Sequence, residues 1–156
     1  MPTAWAAAAA GSLGLARLDE FRDALTAVVA YADGGLGVRA VRSSGGAAGG
    51  VVSEGQGYGL LLAAAVSASL DGAHARRAYA VELAYELFLG WRTMCERTSA
   101  NSCQSHTLCP GGHECLPSWK FDNELAAEVG TGSAPDGDED AILGMVLLLL
   151  ATEHDS

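Results

Sequence analysis

Three groups of residues in this sequence have the types and spacing for chemistry. Glu54 sits in "VVSEGQGYG" (51–59), between two valines and three alternating glycines, at the head of the apolar run "LLLAAAV" (60–66). A carboxyl group placed there could donate a proton, and the glycines could instead cradle a phosphate. A second acidic group, Asp136, Asp138, Glu139 and Asp140, is packed into "PDGDEDAILG" (135–144). The third is a segment with Cys95, Cys103, Cys109, Cys115, His106 and His113.

Each group meets a simple test of spacing. A dinucleotide fingerprint needs G-x-G-x-x-G after a strand and at a helix start, but position 60 is leucine, and no G-K-[ST] follows for a phosphate loop. The glycines fit a tight helix start better. A calcium loop beginning at Asp136 would need glycine where Ala141 stands and glutamate where Leu147 stands. Acids at a helix start are ordinary caps and dipole partners, with Asp136 or Asp138 the predicted N-cap, yet four exceed what a cap uses. A lone Glu54 in a first helical turn is equally ordinary. The cysteines match no C-x2-C metal pair, and four of them allow three pairings. Disulfides, a zinc site and free thiols all stay open, with disulfides favoured. Disulfides would imply an oxidising compartment. No cofactor is implied.

These residues have to be positioned by helices. Leu18, Phe21, Leu25, Val28 and Val29 recur at three- and four-residue steps and predict an amphipathic helix over 15–32, closed by "DGG" (33–35). A glycine- and serine-rich loop follows, with a short extended piece at "VRAV" (38–41). Further helices are predicted at about 54–69, 73–89 and 138–152, with "LPSWKFD" (116–122) short and extended. No strand series alternates with these helices, which predicts an all-α chain of about four helices and long loops. The final helix is apolar on every side, so it should be buried all round. Four helices cannot do that for one of their own, and the expectation is that more chain belongs beyond Ser156.

With 9 Lys and Arg against 19 Asp and Glu, the net charge is −10. Such a chain gains nothing from phosphate neutralisation, so no nucleic acid partner is expected. Nor is a membrane: the longest apolar run, "AILGMVLLLLA" (141–151), is short of the ~20 residues a spanning helix needs. Residues 1–14 look faintly signal-like, but the first basic residue is Arg17. A tail or extra helical turns is the favoured reading.

Taken together, "VVSEGQGYGLLLAAAV", "SWKFD" (118–122) and "APDGDEDAILG" (134–144) resemble glycoside hydrolase family 8, which includes endoglucanases, chitosanases and lichenases. That family carries S-E-G-x-x-Y-G before an apolar helix, then tryptophan ahead of an Ile/Phe-Asp pair, then A-T-D-x-D-x-D opening another helix. Pro135 replaces the usual threonine, and the cysteine segment, about 93–117, reads as an insertion. The resemblance spans about residues 15–152 and only the first third of the family's fold, an (α/α)6 barrel. It implies inverting hydrolysis of a β-1,4-linked glucan or chitosan. By resemblance, Glu54 is the general acid, Asp136 the aspartate that binds and distorts the sugar, and Trp119 a stacking platform. The family's general base lies further along than any segment matched here. A non-catalytic carbohydrate-binding or interaction protein of the same fold is the alternative. The polymeric substrate and the cysteines together point to an extracellular or secretory-pathway location. A general acid must keep its proton, which a helix N-terminus opposes and which burial or a nearby anion can restore. Asp136 is a candidate anion if the two helix starts converge.

Overall fold

The computed structural model describes residues 4–43, 49–99 and 116–153, with side chains from residue 13 onward. Four helices dominate: α1 (Ala4–Leu25), α2 (Ser53–Ser69), α3 (Arg77–Arg97) and α4 (Pro135–Glu153). Between them lie β1 (Thr26–Tyr31), β2 (Gly37–Val41), β3 (Val51–Val52), β4 (Lys120–Phe121) and β5 (Glu128–Gly130). The expectation of an all-α chain is therefore corrected: the protein is mainly helical, with two small antiparallel sheets, β1–β2 and β3–β4–β5. The described residues form no closed barrel of helices.

The clearest departure is at 26–31, predicted as the end of the first helix. The valines at 28 and 29 continue the helical period but are equally good strand formers. "TAVVAY" pairs with "GVRAV" from Thr26↔Val41 to Tyr31↔Gly37. The "DGG" read as a helix stop is the hairpin turn. Gly34 and Gly35 take φ of 89° and 84°, a region open to glycine at little cost. At the other end, α1 begins at Ala4, so of the tail and the extra helical turns weighed for residues 1–14 the helical turns are what is found from there. The third helix runs on to Arg97, past the predicted end at 89.

Helices α2 and α4 form the centre of the molecule and run parallel, in contact at glycines. A Cβ on Gly137 would lie 2.6 Å from the Glu54 nitrogen, and one on Gly144 would lie 2.9 Å from the Leu61 nitrogen. A Cβ on Gly57 would overlap the Gly137 carbonyl and come within 3.3 Å of the Ala141 nitrogen. Small residues let the two backbones touch, and the matched steps bring both N-termini to the same end. α3 returns antiparallel to α2, and Leu60, Ala63, Ala64, Leu83, Leu87 and Trp91 fill the core between them. A second cluster, including Val38, Val51, Met94, Phe121 and Leu125, fills the space beneath the sheets.

The final helix is not buried all round. Ile142, Leu143, Val146, Leu149 and Leu150 are each 46–57% exposed, because α2 and α3 cover one side of α4 only.

Candidate active site

The site is built on the shared N-terminal end of α2 and α4. β3 leads directly into α2, so Glu54 is the second residue of the helix and is exposed. Its direction is set two residues later. Gln56 is fully buried and makes three hydrogen bonds: its Oε1 accepts from the Val41 nitrogen (2.8 Å), and its Nε2 donates to the Arg39 and Leu87 carbonyls (2.9 and 2.8 Å). Residues two apart on a helix point to nearly opposite sides. Anchoring Gln56 inward to β2 and α3 therefore turns Glu54 outward. Gly90 makes room for that anchor, since a Cβ there would lie 2.5 Å from the Gln56 Nε2.

Trp119 is tied to the same point by the backbone. Its carbonyl accepts from the Ser53 nitrogen at 2.9 Å, immediately before Glu54, and its own nitrogen donates to the Gly132 carbonyl at 2.7 Å. The indole lies on the backbone of Gly130, where a Cβ would overlap the ring, and it stays 39% exposed. Lys120 Nζ sits 5.8 Å from the ring centroid. β4 and β5 thus hold an aromatic side chain flat, with surface left for a ligand. The turn between them is fixed by Asp122, whose Oδ1 accepts from the nitrogens of Glu124 (3.2 Å) and Ala126 (2.7 Å).

Asp136 joins them through its neighbour. Gly137 lies against Ser53 and Glu54, so Asp136, exposed in the first turn of α4, adjoins the start of α2. Its Oδ1 accepts from the Gly137 nitrogen at 2.9 Å. Neither Asp136 nor Asp138 is the N-cap that the sequence suggested. Pro135 takes the first helical position, suited to its fixed φ and missing N–H, and the Asp138 nitrogen donates to the Ala134 carbonyl at 3.1 Å. The structure thus gathers all three predicted residues, Glu54, Asp136 and Trp119, at one end of the molecule.

Of two further residues at this end, Tyr58 was not singled out from the sequence and Asp138 was read there as a cap or dipole partner. Tyr58 is 55% exposed and one helical turn after Glu54, on the same face. The four-residue spacing was the available signal. Asp138 is only 4% exposed, and neither of its oxygens, nor the buried Ser53 Oγ, has a hydrogen-bond partner among the described residues. Burial, with help from the Asp136 charge, pushes the Asp138 carboxyl up to about 6.

The readings of Cys103, Cys109, Cys115, His106 and His113 lie outside the described residues; Cys95 sits near the end of α3, partly buried. Among the described residues no group of His, Cys, Asp and Glu is arranged to hold a metal ion, and no helix is long and apolar enough to cross a membrane. Comparisons of the chain with models of known protein families, with curated proteins and with solved structures each found no match. The resemblance to family 8 glycosidases therefore rests on the three motifs and their placement.

Proposed function

We propose that the chain is glycoside-hydrolase-like and takes a β-1,4-linked oligo- or polysaccharide, a β-glucan or chitosan, across the shared end of α2 and α4, as part of an (α/α)6 barrel architecture. The observation that carries this reading is the convergence of three motifs far apart in sequence. Trp119 is hydrogen-bonded to the residue before Glu54, and Gly137, beside Asp136, touches the Glu54 backbone. An indole held flat and half-open offers a sugar ring an apolar face to stack on. Carboxyl groups at its edge accept hydrogen bonds from hydroxyls.

In this reading Glu54 is the general acid. It stands exposed at the rim, where its side chain can approach a leaving oxygen. Asp136 holds the sugar at the point of cleavage. Inverting hydrolysis needs a second carboxylate, roughly 6.5–9.5 Å from the first, to activate water. Asp138 is a poor candidate because it is buried. This favours, as a second reading, a protein that binds carbohydrate without cleaving it. Outside the cell is where a polymeric substrate of this kind is met.

The 156-residue chain is accordingly expected to bind cello- or chito-oligosaccharides and to release little or no reducing sugar. Glu54→Gln keeps the shape and removes the proton donor, so it should leave binding intact. Brisk hydrolysis by the purified chain, abolished in Glu54→Gln, would show that the base is present and overturn the non-catalytic reading. Unchanged hydrolysis in that variant would remove Glu54 from the acid role.

A further inference from the structure

Asp138 is a buried acid at this end, and the proposed chemistry leaves it without a task. It lies directly after Gly137, the contact residue between α4 and α2, and it is 4% exposed. Both its oxygens lack hydrogen-bond partners among the described residues, as does the Ser53 Oγ across the helix contact. A buried carboxylate without partners is costly as an anion and far less so as a neutral acid. The ionisable groups that the elements meeting here carry near this end are Glu54 and Tyr58 on α2, Lys120 on β4, Glu128 on β5, and Asp136, Glu139 and Asp140 on α4 itself. Of these, Asp136 is the one whose charge acts on Asp138. Glu128 is occupied by the Ser118 hydroxyl and by the Ser99 nitrogen.

We propose that Asp138 is a positioning residue beneath the sugar site that takes up a proton from solvent when an oligosaccharide covers Asp136. This rests on the proposed carbohydrate reading and adds a coupling to it. In the open site, water above Asp136 screens its charge from Asp138. A ring seated on Trp119 and over Asp136 displaces that water. The local dielectric falls and the repulsion between the two carboxylates grows. The step is the protonation of one carboxylate, with solvent or buffer as the donor. Its effect is to leave Asp136 as the single charge facing the sugar, so that binding does not force two anions together. The Asp138 carboxyl, held at about 6 in the open site, is close enough to neutrality for the step to occur at modest cost.

The test is isothermal titration calorimetry of the full chain with cellohexaose or chitosan hexamer, near neutral pH, in buffers of low and high ionisation enthalpy. The expected result is net uptake of a fraction of a proton per ligand. Affinity should rise as pH is lowered toward the weakly acidic range, by at most about tenfold per pH unit. Asp138→Asn should bind without uptake and with a flat pH profile. Binding by the unsubstituted chain without proton uptake overturns this proposal and leaves the carbohydrate reading standing. Absence of any binding overturns both. If Asp138→Asn does not fold, Asp136→Asn in the ligand-free state replaces it, read by carbon NMR of the Asp138 carboxyl. A lowered midpoint supports the coupling, and an unmoved one contradicts it.

Discussion

Asp138 and Gln56 are both polar and both buried, yet only Gln56 is satisfied, and that difference decides what each contributes. Removing the Gln56 amide leaves the buried Val41 nitrogen without its side-chain acceptor and takes one donor each from the Arg39 and Leu87 carbonyls. Gln56→Ala should therefore cost roughly 3 kcal/mol in urea unfolding. It should also loosen the outward orientation of Glu54. Asp138 behaves in the opposite sense. Its folded-state value of about 6 lies above the 3.8 of an unperturbed aspartate, so the folded protein holds a proton that the unfolded chain releases. The stability linked to that proton is fully present below about pH 3.8 and is lost as pH rises through about 6. Asp138→Asn should thus raise stability near neutrality, by about 2 kcal/mol, with the gain shrinking toward pH 4. Melting temperature followed across that range measures it. Neither role was legible in the sequence. A glutamine in an apolar helix start resembles a surface residue, and an aspartate in an acidic first turn reads as a cap or dipole partner. Burial is a tertiary fact that neither pattern encodes.

At the scale of elements, the pairing of α2 with α4 matters most. Their parallel contact through Gly57, Gly137 and Gly144 sets both N-termini side by side, and that is why motifs more than eighty residues apart in the chain meet. Glycine weakens an isolated helix by about 1 kcal/mol relative to alanine, so on propensity alone Gly144→Ala should stabilise. The structure predicts the reverse. The added methyl would lie 2.9 Å from both Leu60 Cγ and the Leu61 nitrogen, pushing the helices apart at a net cost of about 1–3 kcal/mol. Urea unfolding of the variant decides between the two. Other contacts fasten the ends. Asp19 binds Arg76 through two bonds of 2.7 and 2.8 Å and accepts from Tyr79, which joins α1 to α3 and holds the Asp19 carboxyl at about 2. Arg77, buried, donates to the Leu70 carbonyl at 2.9 Å and to the Ala151 carbonyl, so the far ends of α2 and α4 are clasped together. The start of α2 was readable from the glycines and Glu54, whereas α4, expected from 138, begins earlier, at Pro135. The β1–β2 hairpin was not readable, because Val28 and Val29 satisfy helical and strand periods alike. Only pairing with "GVRAV" resolves them.

At the scale of the whole molecule, charge and shape divide the surface. A net charge of −10 disfavours polyanionic partners. The exposed stripe of Ile142, Leu143, Val146, Leu149 and Leu150 runs along α4, away from the site end. The sequence signalled both the uncommon apolarity of this helix and that four helices could not cover it, but not which side chains stay exposed, because the neighbours a helix has are a property of the assembled fold. For the site the balance is reversed. Glu54, Asp136 and Trp119 were legible as separate motifs, and their meeting follows from two backbone contacts, Ser53 to Trp119 and Gly137 to Glu54. The central claim is that this meeting point is a sugar site. The most direct measurement is nitrogen–proton NMR of the labelled chain during titration with cellohexaose or chitosan hexamer. The account predicts saturable shifts concentrated at the amides of Ser53, Glu54, Gly130, Asp136 and Gly137 and at the Trp119 indole. An unchanged spectrum, or shifts confined to another face of the molecule, would contradict it.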